Sequence, residues 1–273
     1  MKKGLITLLV LVASLFSLTA RADVLVLVHG YLAGVQSWDM SGITAILQQH
    51  NWQRAGTYVA SPAGIQLIPA PGVQAEQKFY AVDLPSEAPV MLQVHQLRGI
   101  LGAISQAHGN EPVILVGHSA GGVVARAAVV QGGAGNVKAL ITIASPHLGT
   151  ARAEQALDAT DIPFPFSMVT DFFAGEAYDT AMRSRSLYVD LVRPQPGTLL
   201  YWLNGQPHPD IQYVSIVRGQ SAFGSGDYIV PTYSQDMNNV PALHGKSSLI
   251  NVPVSHGLEP VDGNVIVKVL SGL

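Results

Sequence analysis

Short, nearly uninterrupted apolar runs rich in β-branched residues recur along the chain, with longer amphipathic stretches between them. They fall at Val24–Val28, Phe79–Val82, Val113–Val116, Val137–Ile143, Ile211–Val217 and Leu249–Val254. A strand with one wet face alternates apolar and polar residues, so runs without alternation belong to strands covered on both faces. Amphipathic stretches at Trp38–His50, Ala88–Ala107, Ser119–Gln131 and Asp262–Leu270 supply the helices that would cover them. This alternation predicts an α/β fold: an open, mostly parallel sheet flanked by helices. Such sheets bind ligands beyond the carboxyl ends of their strands, so the loops after these runs are where chemistry is expected.

Composition removes other classes. There is no cysteine among the 273 residues, which excludes a disulfide scaffold and thiolate-ligated metal sites. Only 12% of residues are charged, against the roughly 25% of an average soluble domain. The amino terminus does not account for this. Lys2 and Lys3 precede an apolar run from Leu5 to Leu18, and Ala20-Arg21-Ala22 offers small residues for cleavage. The pattern predicts a secretory signal peptide over residues 1–22, an exported periplasmic or secreted protein, and a mature domain over 23–273. The alternative, a membrane anchor, needs about 20 apolar residues, more than this run provides. Removing Lys2, Lys3 and Arg21 leaves 12 basic residues against 18 acidic ones, a net charge of −6. The remaining cations are scattered, so no basic stripe exists to bind nucleic acid. No other stretch has the length of a membrane span.

One segment breaks the alternation. Between Ala153 and Pro209 no strand is evident, while Phe164, Phe166, Phe172, Phe173, Tyr178, Tyr188, Tyr201 and Trp202 crowd together. A helical subdomain with its own small core is one reading. The other is a cap or lid over an apolar pocket, approximately 153–209, whose apolar inner face would account for part of the low charge. The second reading expects Phe164–Phe173 to face the site beneath.

The chemistry is concentrated at a strand-to-helix junction. Val113–Val116 runs into Gly117-His118-Ser119-Ala120-Gly121-Gly122, which opens a helix. This fits the G-x-S-x-G elbow, in which a strained turn exposes the serine Oγ at a helix N-terminus; an N-capping serine is the plainer reading. A serine nucleophile needs a general base oriented by a carboxylate, and the chain order serine, acid, histidine places both downstream. Asp227 follows the Ile211–Val217 run and His256 follows Leu249–Val254, so both fall at carboxyl strand ends. Asp210 and His244 precede their strands and Asp236 lies further along a polar loop, which disfavours all three. The loop after Val24–Val28, His29-Gly30-Tyr31-Leu32-Ala33-Gly34, is expected to supply an oxyanion amide from Tyr31, with Leu32 as competitor, beside that of Ala120. His29 is expected to fasten this loop, and His118 and His147 to shape the site. No H-E-x-x-H or comparable spacing suggests zinc, and no cofactor or metal is expected.

These motifs resemble a bacterial lipase or esterase of the α/β-hydrolase superfamily, through Val28-His29-Gly30-Tyr31, Gly117–Gly122, Ser145-Pro146-His147-Leu148-Gly149-Thr150, Gly226–Pro231 with Ser234-Gln235, and Ser255-His256. The resemblance implies a triad of Ser119, Asp227 and His256, oxyanion donors at Tyr31 and Ala120, a lid, and hydrolysis of a lipid or small acyl ester. Secreted true lipases of this pattern often carry a disulfide and a calcium-binding Asp two residues after the histidine. This chain has no cysteine and has Leu258 there. An acyltransferase or thioesterase would use the same triad, and a lipid-carrying binding protein could keep the scaffold without the reaction.

Overall fold

The computed structural model describes residues 22–61, 64–109, 111–132, 135–161, 176–219 and 227–273. Eight strands form one sheet: β1 (Val24–Val28), β2 (Gln53–Ser61), β3 (Gly64–Pro69), β4 (Lys78–Asp83), β5 (Val113–His118), β6 (Val137–Ile143), β7 (Gln212–Val217) and β8 (Ser247–Asn251). They lie in the order β3-β2-β4-β1-β5-β6-β7-β8. All pair in parallel except β2 with β3, which form an antiparallel hairpin at one margin.

Strand β1 shows why the sequence specifies this arrangement. All five residues are buried, and successive side chains point to opposite faces. Val24, Val26 and Val28 join one apolar cluster, while Leu25 and Leu27 join the other. The first cluster is completed by α3 (Val90–His108) and α4 (Ala120–Val130). The second is completed by α1 (Gln36–Met40), α2 (Ile43–Gln49) and α10 (Pro260–Leu270). Helix α4 is apolar almost all round and buried along nearly its whole length, as a helix sandwiched between layers must be.

Between β6 and β7 the described residues form α5 (Ala151–Thr160), α6 (Glu176–Arg183), α7 (Arg185–Leu191) and α8 (Leu199–Asn204), with no strand among them. The short α9 (Thr232–Gln235) and two 3₁₀ turns lie between β7 and β8. Phe164, Phe166, Phe172 and Phe173, on which the expected apolar lid face rests, lie outside the described residues, as do residues 1–21.

The expectation of a mostly parallel sheet wrapped by helices matches the structure, with three differences in detail. The expected helix over Trp38–His50 is two helices, α1 and α2, separated at Ser41 and Gly42; Gly42 takes φ +78°, which no continuous right-handed helix accommodates. The last strand is Ser247–Asn251 rather than Leu249–Val254. The β2–β3 hairpin had no counterpart in the apolar-run pattern, because it is a margin: all six residues of β3 are exposed.

Strands β4 and β5 flank β1, so the chain winds to one side of β1 and then to the other. Such a switch point opens a crevice at the carboxyl ends of the two strands involved. Residue Val28 of β1 pairs with Gly117 of β5, which places the Gly30-Tyr31 loop beside Ser119.

Candidate active site

The turn from β5 into α4 holds Ser119 at φ +51°, ψ −129°. A non-glycine residue there stores about 1–3 kcal/mol, which the surroundings must impose. They do so by close approach. A Cβ on Gly121 would lie 2.2 Å from the carbonyl oxygen of His29, and one on Gly117 would lie 2.5 Å from Cα of Gly122. Backbone therefore touches backbone on both sides of the serine. The Ser119 amide donates to the Ile143 carbonyl at the end of β6 (2.8 Å), which locks the turn to the neighbouring strand.

His256 reaches the serine from five residues beyond β8. Its Nδ1 lies 2.6 Å from Oδ2 of Asp227, and its Nε2 lies 2.8 Å from Oγ of Ser119. A carboxylate only accepts, so Nδ1 carries the hydrogen and Nε2 is left as acceptor for the serine hydroxyl. The Asp227 side chain is wholly buried. Its Oδ1 accepts from the amides of Ile229 (2.7 Å) and Val230 (2.9 Å), and Oδ2 also accepts from Nε2 of Gln235 (2.9 Å). Burial alone would raise its pKa. The hydrogen bond and charge of His256 and the two amides outweigh that and hold it below 3.8.

A second set of contacts fixes the histidine itself. Nε2 of His118 donates to the His256 carbonyl (2.9 Å), and the two rings lie 5.3 Å apart. Burial first, then the adjacent His256, push the His118 pKa down to about 3, so it stays neutral and keeps that role. Behind it, Arg218 and Asp262 form a wholly buried two-pronged ion pair (2.6 and 2.7 Å). Arg218 Nη2 also donates to the Gly257 carbonyl (2.9 Å), tying the histidine loop to the first turn of α10. The Arg218 amide donates to Oε1 of Gln235 (2.7 Å). Gln235 therefore joins the acid, the end of β7 and the histidine support.

The Ser145–Thr150 segment connects these parts. Ser234 Oγ donates to the Gly149 carbonyl (2.6 Å) and accepts from the Leu148 amide (3.0 Å), while Thr150 Oγ1 donates to the Ile229 carbonyl beside Asp227. His147 is wholly buried, bonded to Thr142, and is not among the residues lining the cleft described below. His29 fastens its loop as expected: Nδ1 donates to the Gly30 carbonyl (3.1 Å) and Nε2 accepts from the Leu84 amide (3.2 Å). The amides of Tyr31 and Ala120 have no acceptor among the described residues and flank Ser119 in one cleft.

That cleft has a volume of about 570 Å³, opens above Ser119 and His256, and is walled mainly by apolar side chains. Ala153 and Ala156 of α5 and Tyr188 and Leu191 of α7 supply part of that apolar wall. The hydroxyl of Tyr188 is hydrogen-bonded to that of Tyr31, linking the insert to the loop after β1.

The structure thus brings Ser119, Asp227, His256, Tyr31 and Ala120 to one place. The rivals lie elsewhere: Asp236 caps a 3₁₀ turn, His244 bonds the Asn238 carbonyl on the surface, and Asp210 is exposed ahead of β7. Three supports went unassigned in the sequence: the anchoring role of Gln235, the Arg218–Asp262 pair and the Tyr188 hydroxyl. Gln235 was visible as a polar residue soon after the acid. An arginine 44 residues from its aspartate carries no local pattern.

The family model of the PGAP1-like alpha/beta domain matches residues 24–193, a span that includes Ser119 but ends before Asp227 and His256. Two curated GPI inositol-deacylases, from Emericella nidulans and Aspergillus fumigatus, are 31% and 30% identical over 136 residues. That match covers 49% of this chain but 9% of either relative. Among solved structures, the lin2722 product of Listeria innocua has a TM-score of 0.61 at 15% identity, covering 92% of this chain and 95% of that one. The mature form of Bacillus licheniformis lipase BlEst2 has a TM-score of 0.58 at 17% identity, covering 93% and 92%. Likeness at this identity speaks to the fold, which these proteins share.

Proposed function

The chain belongs to the PGAP1-like alpha/beta domain family, and from that premise we propose that it is an exported serine hydrolase that cleaves carboxylic esters through an acyl-enzyme. The observation that carries this reading is the continuous line from Asp227 through His256 to Ser119, with contacts of 2.6 and 2.8 Å, ending on a serine at positive φ. Oγ of Ser119 attacks the ester carbonyl as its proton passes to Nε2 of His256. Asp227 holds the imidazole in the required tautomer and stabilises the imidazolium. The oxyanion is held by the amides of Tyr31 and Ala120, each contributing about 3 kcal/mol to the transition state. His256 then gives its proton to the leaving alcohol, the acyl group remains on Ser119, and a water deprotonated by His256 releases the acid.

The walls formed by Ala153, Ala156, Tyr188 and Leu191 suit an acyl chain. They support the insert over approximately 153–209 as a cap. The names of the curated relatives support a second, narrower reading, in which the ester is one carried by a lipid-linked inositol. Residues 1–22 act as a cleaved signal peptide on this reading. Among the described residues no helix is long and apolar enough to cross a membrane.

The deciding experiment is hydrolysis of short p-nitrophenyl esters by the wild type and Ser119→Ala. Loss on the order of 10⁴-fold or more is expected, with unchanged thermal unfolding and loss of labelling by a fluorophosphonate probe. Activity retained in Ser119→Ala would overturn the reading. Mass determination of the exported protein, with residue 23 at its start, tests the leader.

A further inference from the structure

The residues lining the cleft carry one formal positive charge, that of Arg152, in a wall otherwise mainly apolar. Arg152 makes no ion pair with any described carboxylate. Its exposed side chain makes two hydrogen bonds: Nε donates to the Tyr228 carbonyl (3.2 Å) and Nη1 to Oε1 of Gln155 (3.0 Å), while no described residue accepts from Nη2. It occupies the first turn of α5, where a cation opposes the helix dipole and an acidic residue is the stabilising choice. A positioned arginine with an open edge, placed against its helix, is poorly explained by the stability of α5.

Arg152 also stands at a junction. A side chamber of about 310 Å³, lined by Gln155, Asp227, Tyr228 and Pro231 among others, shares Thr150, Arg152 and Ile229 with the main cleft. The Asp227 side chain is wholly buried, so that residue presents main chain rather than carboxylate to the chamber. Half of the chamber's lining comes from the loop that carries Asp227 and half from the start of α5, so it lies beyond Arg152 as seen from the apolar cleft. An acyl chain seated along the apolar wall of the main cleft leaves the chamber beyond Arg152 for the alcohol portion.

We propose that the substrate is an acyl ester whose alcohol portion bears an oxyanion, phosphate or carboxylate, seated in this chamber against the open edge of Arg152. The proposal rests on the serine-hydrolase reading and adds the class of leaving group. The reaction is ordinary acyl transfer: the acyl C–O bond breaks, the Ser119 proton passes through His256 to the alcohol, and the anion keeps its charge throughout. Arginine suits this task because its planar edge meets two oxygens at once.

The test compares three soluble butanoyl esters, of glycerol, of glycerol 3-phosphate and of glyceric acid, at low and high ionic strength. The wild type is expected to favour one or both anionic esters over the neutral one by about tenfold or more in kcat/KM. Salt near 1 M should erase most of that preference. In Arg152→Gln the anionic-to-neutral ratio should fall about tenfold, and Arg152→Lys should restore part of it. Phosphate alone preferred, carboxylate alone preferred, or both preferred each supports an oxyanion site and identifies its source. A wild-type ratio near or below one, a ratio unchanged in Arg152→Gln, or no turnover of either anionic ester overturns the proposal. Cleavage of p-nitrophenyl esters that is lost in Ser119→Ala keeps the hydrolase reading standing in each of those cases, so the two ideas fail separately.

Discussion

Strands β1 and β3 belong to one sheet, separated by β2 and β4, and the same apolar residue types serve them differently. Every residue of β1 is buried, and its valines and leucines feed the two cores alternately. Every residue of β3 is exposed, with Ile65, Leu67 and Ile68 between 37% and 60% accessible. At the centre each side chain has neighbours on all sides, and the loops that leave it are packed backbone against backbone. At the margin a side chain has one neighbouring strand, solvent and, for Ile65, a contact with Gly99 of α3. The contrast bears on position: the strained Ser119 leaves a central strand, where the structure can impose a geometry.

The largest consequence concerns the central loops. Asp227→Asn should lower kcat on the order of 10⁴-fold, because the amide no longer selects the working tautomer of His256. Asp236→Asn, in the same segment but serving only a 3₁₀ turn, should change kcat less than twofold; equal losses in the two variants would break the assignment. Next, Arg218→Met leaves Asp262 as a buried charge without its partner. It should cost about 3–5 kcal/mol in denaturant unfolding, with activity lost as the His256 loop is freed. Gly121→Ala drives a methyl group to within 2.2 Å of the His29 carbonyl and should destabilise by several kcal/mol. At the other margin, Ile68→Thr on β3 should move stability by about 0.5 kcal/mol or less. A larger change would mean that β3 is covered by something in solution.

The same contrast has a pH dimension. A histidine exposed at the margin would titrate near 6.5 in both states, whereas buried His118 titrates near 3 in the folded protein. As pH falls below 6.5 the unfolded chain takes up that proton and the folded one does not. The stability contributed by neutral His118 is therefore complete above 6.5 and is eroded as pH falls toward 3. Asp227 acts in the same direction lower down: its contribution is full above 3.8 and is lost as pH falls through its depressed folded value. Unfolding free energies of wild type and His118→Asn, measured between pH 7 and 4, should converge as the solution becomes more acidic. Parallel curves would count against a buried neutral histidine.

What could be read from the sequence follows the same division. The five central strands β1, β4, β5, β6 and β7 declare themselves because burial on both faces demands unbroken apolar runs. Ser119 and Asp227 declare themselves because each follows such a run at the correct end, whereas His256 follows β8, a margin strand that is largely exposed. Strands β2 and β3 were not legible: Gln53–Ser61 mixes polar and small residues around Gly56 and is kinked where its register shifts between Arg54 and Gly56. Nor were the parts that hold His256, since Arg218, Gln235, Asp262 and His118 meet only when three separate loops have closed. The segment between β6 and β7 was legible in composition as an insert, and its described residues form helices and no strand.

The Arg218–Asp262 pair also bears on when activity arises. Synthesis proceeds from the amino terminus, and Ser119 lies 137 residues ahead of His256. A growing chain holds β1, β5 and the turn after β5 long before it holds His256, the base on the proposed reading. The clamp that steadies the base waits longer still, for Asp262 in the first turn of α10. On the proposed reading, a chain assembled in this order carries an unactivated serine until α10 docks. Activity is then a report that α10 has docked and closed the Arg218–Asp262 pair.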